Sequence, residues 1–257
     1  MNYKIFVMIR FNINYFYNRE IKKAPGINKP IVEWDMDRLN YRFELFKNVC
    51  FKSLRKQKNK ENFHIILLIS DDLPKKIRNK LEKMAIIHNF LHIEIYEGSY
   101  DNRYLKKYID ENTKIIATVR LDDDDGLHPN FVSRISKYCI EDNINKFITF
   151  PKGVFLRIDN EKLYFKRKFS KFIAVGLTKI SSPDDYKTVY GYNHRKINKL
   201  GFDIIVDNFD PMYVVINHKY GDAGRINKKD GYLDIETCSE AKNKLKFINY
   251  NNIKTLK

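Results

Sequence analysis

The stretch Ile115-Ile116-Ala117-Thr118-Val119-Arg120-Leu121-Asp122-Asp123-Asp124-Asp125 constrains this chain more than any other. Its apolar half reads as a buried strand. Its acidic half falls where that strand ends, and Gly126 and Pro129 mark the turn toward a following helix. Four adjacent carboxylates repel one another and push their pKa values up unless a counter-charge stands beside them. A divalent cation supplies that charge, and hard cations select carboxylate oxygens. Ligands of open α/β sheets bind at the carboxyl ends of strands, so the acids read as a metal site rather than as an acidic surface turn.

Strand and helix patterns alternate around this stretch. Tyr3 to Ile9 is a strand by its β-branched and aromatic content, ending at the polar turn Arg10-Phe11-Asn12. Asn14 to Pro30 reads as a long loop. Asp35 to Gln57 is a helix with Leu39, Phe43, Phe46, Cys50 and Leu54 on one face, and Arg42, Lys47, Lys52, Arg55 and Lys56 read as its solvated face. Phe63 to Ile69 is a second strand running into Ser70-Asp71-Asp72, and Pro74 opens the next helix. Asp71 and Asp72 suit a helix-capping role as well as a hydrogen bond to a base or ribose at the strand's carboxyl end. His92 to Tyr96 is a third strand, Asp101 to Ile109 a short helix, and His128 to Glu141 a helix with Phe131, Ile135 and Tyr138 on one face. This alternation predicts a mainly parallel sheet covered on both faces. There is no G-x-G-x-x-G or G-x-x-x-x-G-K loop, which disfavours a Rossmann dehydrogenase or a P-loop enzyme. A diphosphate bound here would instead be neutralised by a metal held by the acids.

Length and charge narrow the class. The 257 residues suit one large domain or two small ones, and 43% hydrophobic content supports a substantial core. No apolar run approaches the roughly 18 residues of a membrane span, and Met1 to Ile9 lacks the pattern of a secretory signal. Cys50, Cys139 and Cys238 are far apart, without zinc or disulfide spacing, which points to a reducing cytoplasm. The net charge of +16 implies an anionic partner. With no nucleic-acid motif in the chain, the partner is expected to be a phosphorylated substrate or an anionic membrane face, and nucleic acid is not expected.

The ordered pieces carry a resemblance. They are Arg10-Phe11-Asn12, Arg42-Phe43-x-Leu45-Phe46, Cys50-x-x-Ser53-Leu54-x-x-Gln57, Asp72-x-Pro74, Arg120-Leu121-Asp122-x-Asp124-Asp125 and Pro129-x-Phe131. Over about half the chain this resembles the nucleotide-diphospho-sugar half of a GT-A fold glycosyltransferase. More narrowly, it is similar to a bacterial family described as putative rhamnosyltransferases. The resemblance implies an α/β GT-A fold, with a mainly parallel central sheet flanked by helices and a smaller antiparallel acceptor-side sheet. It implies one domain over residues 1–225, divided at 125 into nucleotide-sugar and acceptor halves, and a basic extension over 226–257. It further implies Mn²⁺ or Mg²⁺ bridging the donor's two phosphates, held by Asp124 with Asp122 or Asp125 assisting. Asp122 is also suited to the ribose. The nucleotide site would be lined by Arg10, Phe11, Asn12, Asp71, Asp72, Arg120 and Asp123.

In the second half, Phe147 to Phe150 reads as a strand, Val154 to Phe169 as a hairpin around Asp159-Asn160, and Phe172 to Gly176 as a short strand. Asp184 and Asp185, in a loop of what resembles the acceptor side, are candidate general bases. His194 is a candidate for the donor phosphates or for the base, by similarity to the family. Met212 to His218 reads as a strand, and the resemblance assigns its His218 to the metal, beside carboxylates that suit Mn²⁺. Lys219 and Arg225 are candidates for a lid over the phosphates. Near the end, Ala241, Leu245 and Ile248 share a helical face, read as a packed terminal helix rather than a membrane-surface one. The expected activity is transfer of a sugar, which the resemblance implies to be of rhamnosyl type, to a surface glycan or lipid-linked glycan at the inner face of the bacterial inner membrane. A nucleotidyltransferase of related fold and a non-enzymatic basic binding protein are the alternatives.

Overall fold

The computed structural model describes residues 2–13, 34–159, 161–221 and 231–256. The predicted loop from Asn14 to Pro30, Asn160 and Arg225 lie outside the described residues. Strands β1 (Tyr3–Phe11), β2 (Phe63–Ile69), β3 (Leu91–Ile95) and β4 (Ile115–Asp122) run parallel, side by side as β3-β2-β1-β4. The later strands are β5 (Gly126–Leu127), β6 (Phe147–Thr149), β7 (Lys152–Asp159), β8 (Lys162–Phe169), β9 (Thr178–Ser181), β10 (Ile204–Val206), β11 (Tyr213–Asn217) and β12 (Leu233–Asp234). They complete a seven-stranded sheet in the order β10-β6-β9-β4-β1-β2-β3 and a five-stranded sheet in the order β12-β8-β7-β11-β5. In the larger sheet β9 runs antiparallel to both neighbours. The smaller sheet, expected to be antiparallel, is mixed, because β7 and β11 pair in parallel. Ile5, Phe6, Val7, Met8 and Ile9 are all buried, as a parallel strand covered on both faces requires.

One helix joins the two sheets. It comprises α1 (Met36–Leu45), a π-helical turn (Phe46–Cys50) and α2 (Phe51–Arg55), and Asp35 caps it by accepting from the Arg38 amide at 2.9 Å. The expected apolar face of Leu39, Phe43, Phe46, Cys50 and Leu54 packs into the core of the large sheet. A second face, Tyr41, Leu45 and Val49 at spacing four, packs on Val154, Leu156, Val214 and Ile216 of the small sheet. The helix is therefore a wedge between two cores. This corrects the reading of a single apolar face backed by a solvated one.

Four local expectations change. Helix α3 (Lys75–Ile87) starts at Pro74 without a side-chain cap, so Asp71 and Asp72 do not cap it. Asp101 to Ile109 forms two 3₁₀ turns, Asn102–Tyr104 and Lys106–Tyr108. The helix after the acids, α4 (Phe131–Ile135), is short and continues into 3₁₀ turns. Phe172 to Gly176 is a turn rather than a strand. Gly176 has φ +73°, a conformation suited to glycine, and a Cβ there would lie 2.8 Å from the Phe131 ring. The C-terminal segment, with α5 (Ser239–Lys244) and α6 (Tyr250–Lys254), is built into the fold rather than appended as an extension. β12 pairs with β8, and Ile235, Leu245, Ile248 and Ile253 are buried in the second core.

Candidate active site

The acids stand at the carboxyl end of β4, and the wedge helix fixes the turn that follows them. Ser53 Oγ accepts from the Leu127 amide at 3.1 Å and donates to the Cys50 carbonyl at 2.7 Å. Gln57 Nε2 donates to the His128 carbonyl at 2.9 Å, and Gln57 Oε1 accepts from the Val132 amide at 2.9 Å. Asn130, at the start of α4, supplies no side-chain cap, so Gln57 satisfies a helix-start amide from a distance. The spacing Cys50-x-x-Ser53-x-x-x-Gln57 thus positions the acidic turn. Gly126 allows the close approach of strands, since a Cβ there would lie 2.9 Å from Val214 Cγ1.

Each acid has its own partner. Asp122 is level with Arg10 on β1 and accepts from its Nη2 at 3.1 Å. Asp123 is fully buried, accepts from Asn12 Nδ2 at 3.2 Å and is clamped by the Arg42 guanidinium. Asp124 Oδ2 meets His218 Nε2 at 2.9 Å and lies 3.3 Å from Arg42 Nη1. Asp125 Oδ1 accepts from the Ile216 amide at 3.1 Å, which ties β11 to the acidic turn two residues before His218. The Tyr220 amide donates to His218 Nδ1 at 3.3 Å, so the neutral ring carries its proton on Nε2 and offers it to Asp124.

These partners split the carboxyl pKa values. Burial raises Asp125 well above the ordinary range, and the charges of Asp124 and Asp122 add to that. Burial also lifts Asp123, against the pull of Arg42, to about 7. Burial works in the same direction on Asp124, but the His218 hydrogen bond and the Arg42 charge outweigh it and hold Asp124 below the usual value. Asp124 is therefore the acid kept ionised at a point that also presents a ring nitrogen.

Among the described residues, no three His, Cys, Asp or Glu side chains converge into a protein-only metal cage. The pair Asp124–His218 is the convergence that exists, bridging 94 positions of sequence. Asp122 and Asp125, expected to assist the metal, are engaged by Arg10 and by the Ile216 amide. One carboxylate and one imidazole fit a Mn²⁺ or Mg²⁺ ion whose remaining positions are filled by substrate phosphates and water, as hard cations at phosphate sites commonly are.

A cationic and aromatic wall lies beside the acids. The Arg10 and Arg120 guanidinium carbons lie 4.8 Å and 5.0 Å from the Tyr190 ring centre. Tyr190 donates to the Leu121 carbonyl at 2.9 Å and stacks on Tyr100 with ring centres 5.1 Å apart. Arg120 Nη1 faces His194 Nδ1 at 3.5 Å. Burial, then the charges of Arg120 and Arg195, lower the His194 pKa to about 4, so its ring is neutral near pH 7. Arg120 Nε is buried and has no hydrogen-bond partner among the described residues.

The other expected site residues divide. Asp71 and Asp72 are exposed at the carboxyl end of β2, adjacent to β1. Lys219 is exposed over the Tyr41 and Tyr220 rings, at 5.3 Å and 4.9 Å. Phe11 does not line the site: it is fully buried and meets Phe46 edge-on. Asp184 and Asp185 are not at the acids either. Asp185 pairs with the buried Lys179, which is level with Thr118. Thr118 precedes Asp122 by four strand residues, roughly 13 Å. Asp184 is exposed in that same loop. Both are corrected as general bases, because β9 runs antiparallel to β4 and carries their loop away from the acidic end. Arg42 was missed. Its helical position looks solvated, yet its side chain is only 11% exposed and touches two of the acids. The one available signal was its place in the motif Arg42-Phe43-x-Leu45-Phe46.

A mainly parallel sheet ending in an acidic cluster, with a second sheet supplying a late histidine, is the α/β arrangement that the GT-A resemblance implied. The sequence profile of the family described as "Putative rhamnosyl transferase" matches residues 5–230, and the chain belongs to that glycosyltransferase family. No curated protein matches it. Among solved structures it is similar to S. aureus TarS residues 1–349, at 11% identity and a TM-score of 0.45, covering 83% of this chain and 60% of that one. The same TarS fragment in complex with UDP-GlcNAc gives 13% identity and 0.45, covering 87% and 62%. The inositol-1-phosphate CTP transferase from T. maritima gives 12% and 0.40, covering 85% and 91%. This chain therefore spans about three-fifths of the TarS fragment's length.

Proposed function

We propose that this protein is a metal-dependent glycosyltransferase that moves a sugar, of rhamnosyl type, from a nucleotide-diphospho-sugar to a hydroxyl of a bacterial surface glycan or its lipid-linked precursor. The observation that carries this reading is the meeting of Asp124 and His218 at 2.9 Å beside the wall of Arg10 and Arg120. Asp124 and His218 would hold Mn²⁺ or Mg²⁺, which, when bound, acts as a Lewis acid toward the leaving diphosphate. Asp125 keeps His218 in register with Asp124 through the Ile216 amide. Arg120, whose buried Nε has no hydrogen-bond partner among the described residues, is suited to a donor phosphate oxygen. Asp122 lies next to Arg10 and suits the ribose, while the exposed Asp71 and Asp72 suit the base. Lys219 suits a cover over the phosphates.

Of the three side chains considered as general base, His194 is the one adjacent to Arg120, and its neutral ring is in the state a base requires. An anionic donor beside it would raise its pKa toward neutrality, where a base works best. The basic surface suits the phosphorylated donor and contact with an anionic membrane at the inner face of the inner membrane. No helix among the described residues is long and apolar enough to cross a membrane. The test is a screen of nucleotide-sugars for hydrolysis that depends on Mn²⁺. The reading expects one sugar donor to be cleaved, with loss of turnover on chelation and in Asp124→Ala. Turnover of nucleoside triphosphates alone would overturn it in favour of a nucleotidyltransferase.

A further inference from the structure

Arg42 stands where a cation is needed. It enters from α1, 81 residues before Asp123, and clamps that fully buried carboxylate. Its Nη1 also lies 3.3 Å from Asp124 Oδ2, the oxygen that His218 Nε2 approaches at 2.9 Å. One guanidinium thus serves two adjacent acids, one of them half of the candidate metal point. The planar fork of arginine is suited to bridging two carboxylates, whereas a lysine ammonium is a point charge.

We infer that Arg42 is a resident counter-cation that sets the site's affinity for free metal, so that the metal is held well only together with the donor's diphosphate. The inference rests on reading Asp124 and His218 as the metal point. Two effects of Arg42 oppose each other. It orients Asp124, which favours metal, and it places a full positive charge a few ångströms from the ion, which disfavours metal. The second effect dominates, because charge–charge interactions at this separation in a poorly hydrated site exceed the cost of reorienting one carboxylate. An incoming diphosphate brings compensating negative charge to the ion and to Arg42 alike. Metal and nucleotide then bind cooperatively, each strengthening the other by the same factor.

The experiment measures Mn²⁺ binding by electron paramagnetic resonance, with and without UDP and dTDP, in the wild type, Arg42→Met, Arg42→Lys and Asp123→Asn. Arg42→Met is expected to bind free Mn²⁺ roughly tenfold or more tightly than wild type. Its gain in affinity on adding nucleotide should be correspondingly smaller. Arg42→Lys keeps the charge and should bind free Mn²⁺ like wild type. Asp123→Asn keeps Arg42 but takes away its buried carboxylate partner, leaving the guanidinium uncompensated beside Asp124, so it should bind free Mn²⁺ more weakly; this variant also reads the effect of Arg42 if Arg42→Met fails to fold. Free Mn²⁺ affinity unchanged in both Arg42→Met and Asp123→Asn, with wild type still binding Mn²⁺ when nucleotide is present, overturns the role of Arg42 alone. Absence of Mn²⁺ binding in every protein, with or without nucleotide, overturns the metal reading beneath it.

Discussion

Gln57→Met removes the remote cap of α4 while nearly preserving side-chain volume. In the wild type, Gln57 is 4% exposed, its Oε1 accepts from the Val132 amide at 2.9 Å, and its Nε2 donates to the His128 carbonyl at 2.9 Å. The His128 carbonyl keeps a second partner in the Phe131 amide. The Val132 amide lies in the first turn of α4, where amides lack an intrahelical acceptor, so the substitution leaves one buried donor unmet. Leaving a buried donor unsatisfied costs about 1–3 kcal/mol, a range that overlaps the loss of a helix cap. At about 2 kcal/mol the expected fall in Tm is about 4–8 °C for a chain of this size. Urea unfolding gives the free energy, and hydrogen exchange at the Val132 amide gives the local effect. Because Ser53 holds the same turn, Ser53→Ala and Gln57→Met should be non-additive. A Gln57→Met protein within about 0.5 kcal/mol of wild type, with Val132 still protected, would refute the claim that this side chain anchors the acidic turn.

Further outcomes follow from the same geometry. Gly126→Ala is expected to destabilise by about 1–3 kcal/mol through the Val214 contact and to weaken binding of Mn²⁺ with a nucleoside diphosphate, measured by calorimetry, because it pushes β11 and His218 from the acids. Asp185→Asn is expected to leave turnover within about twofold of wild type while costing roughly 1–3 kcal/mol, because the buried Lys179 loses its charged partner; a loss of turnover at full stability would restore Asp185 as a base. His64 Nδ1 and His92 Nε2 meet at 3.0 Å and share one proton. Burial, then the charges of His92 and Lys4, lower the His64 pKa to about 4. The unfolded chain therefore takes up the proton first as pH falls. The stability from this pair is complete above about pH 6.5 and is lost as pH drops through about 4. The difference in Tm between wild type and His64→Gln should shrink over that interval, and a difference independent of pH would contradict the assignment.

Much of the large sheet was legible because buried parallel strands are continuous apolar runs, as β1, β2 and β4 are. The acidic end was legible because four carboxylates in a row demand a counter-charge. The identity of that counter-charge was not. Arg42 and Asp123 are 81 positions apart, and a helix drawn with one apolar face hides the second face that Tyr41, Leu45 and Val49 turn toward the small sheet. Phe11 was misread because a residue in a polar turn was grouped with its neighbours, although strand alternation turns it into the core against Phe46. Asp184 and Asp185 were misread because a polar loop after a strand resembles a catalytic loop until the direction of β9 is known. Strand direction depends on long-range pairing, which local patterns do not encode.

The most direct test of the central claim is calorimetric titration of a nucleoside diphosphate into the wild type, Asp124→Ala and His218→Ala, with and without Mn²⁺. The account predicts binding by the wild type that is strengthened by Mn²⁺, and loss of that strengthening in both variants. Binding that ignores Mn²⁺ in the wild type, or variants that respond to Mn²⁺ as the wild type does, would contradict it.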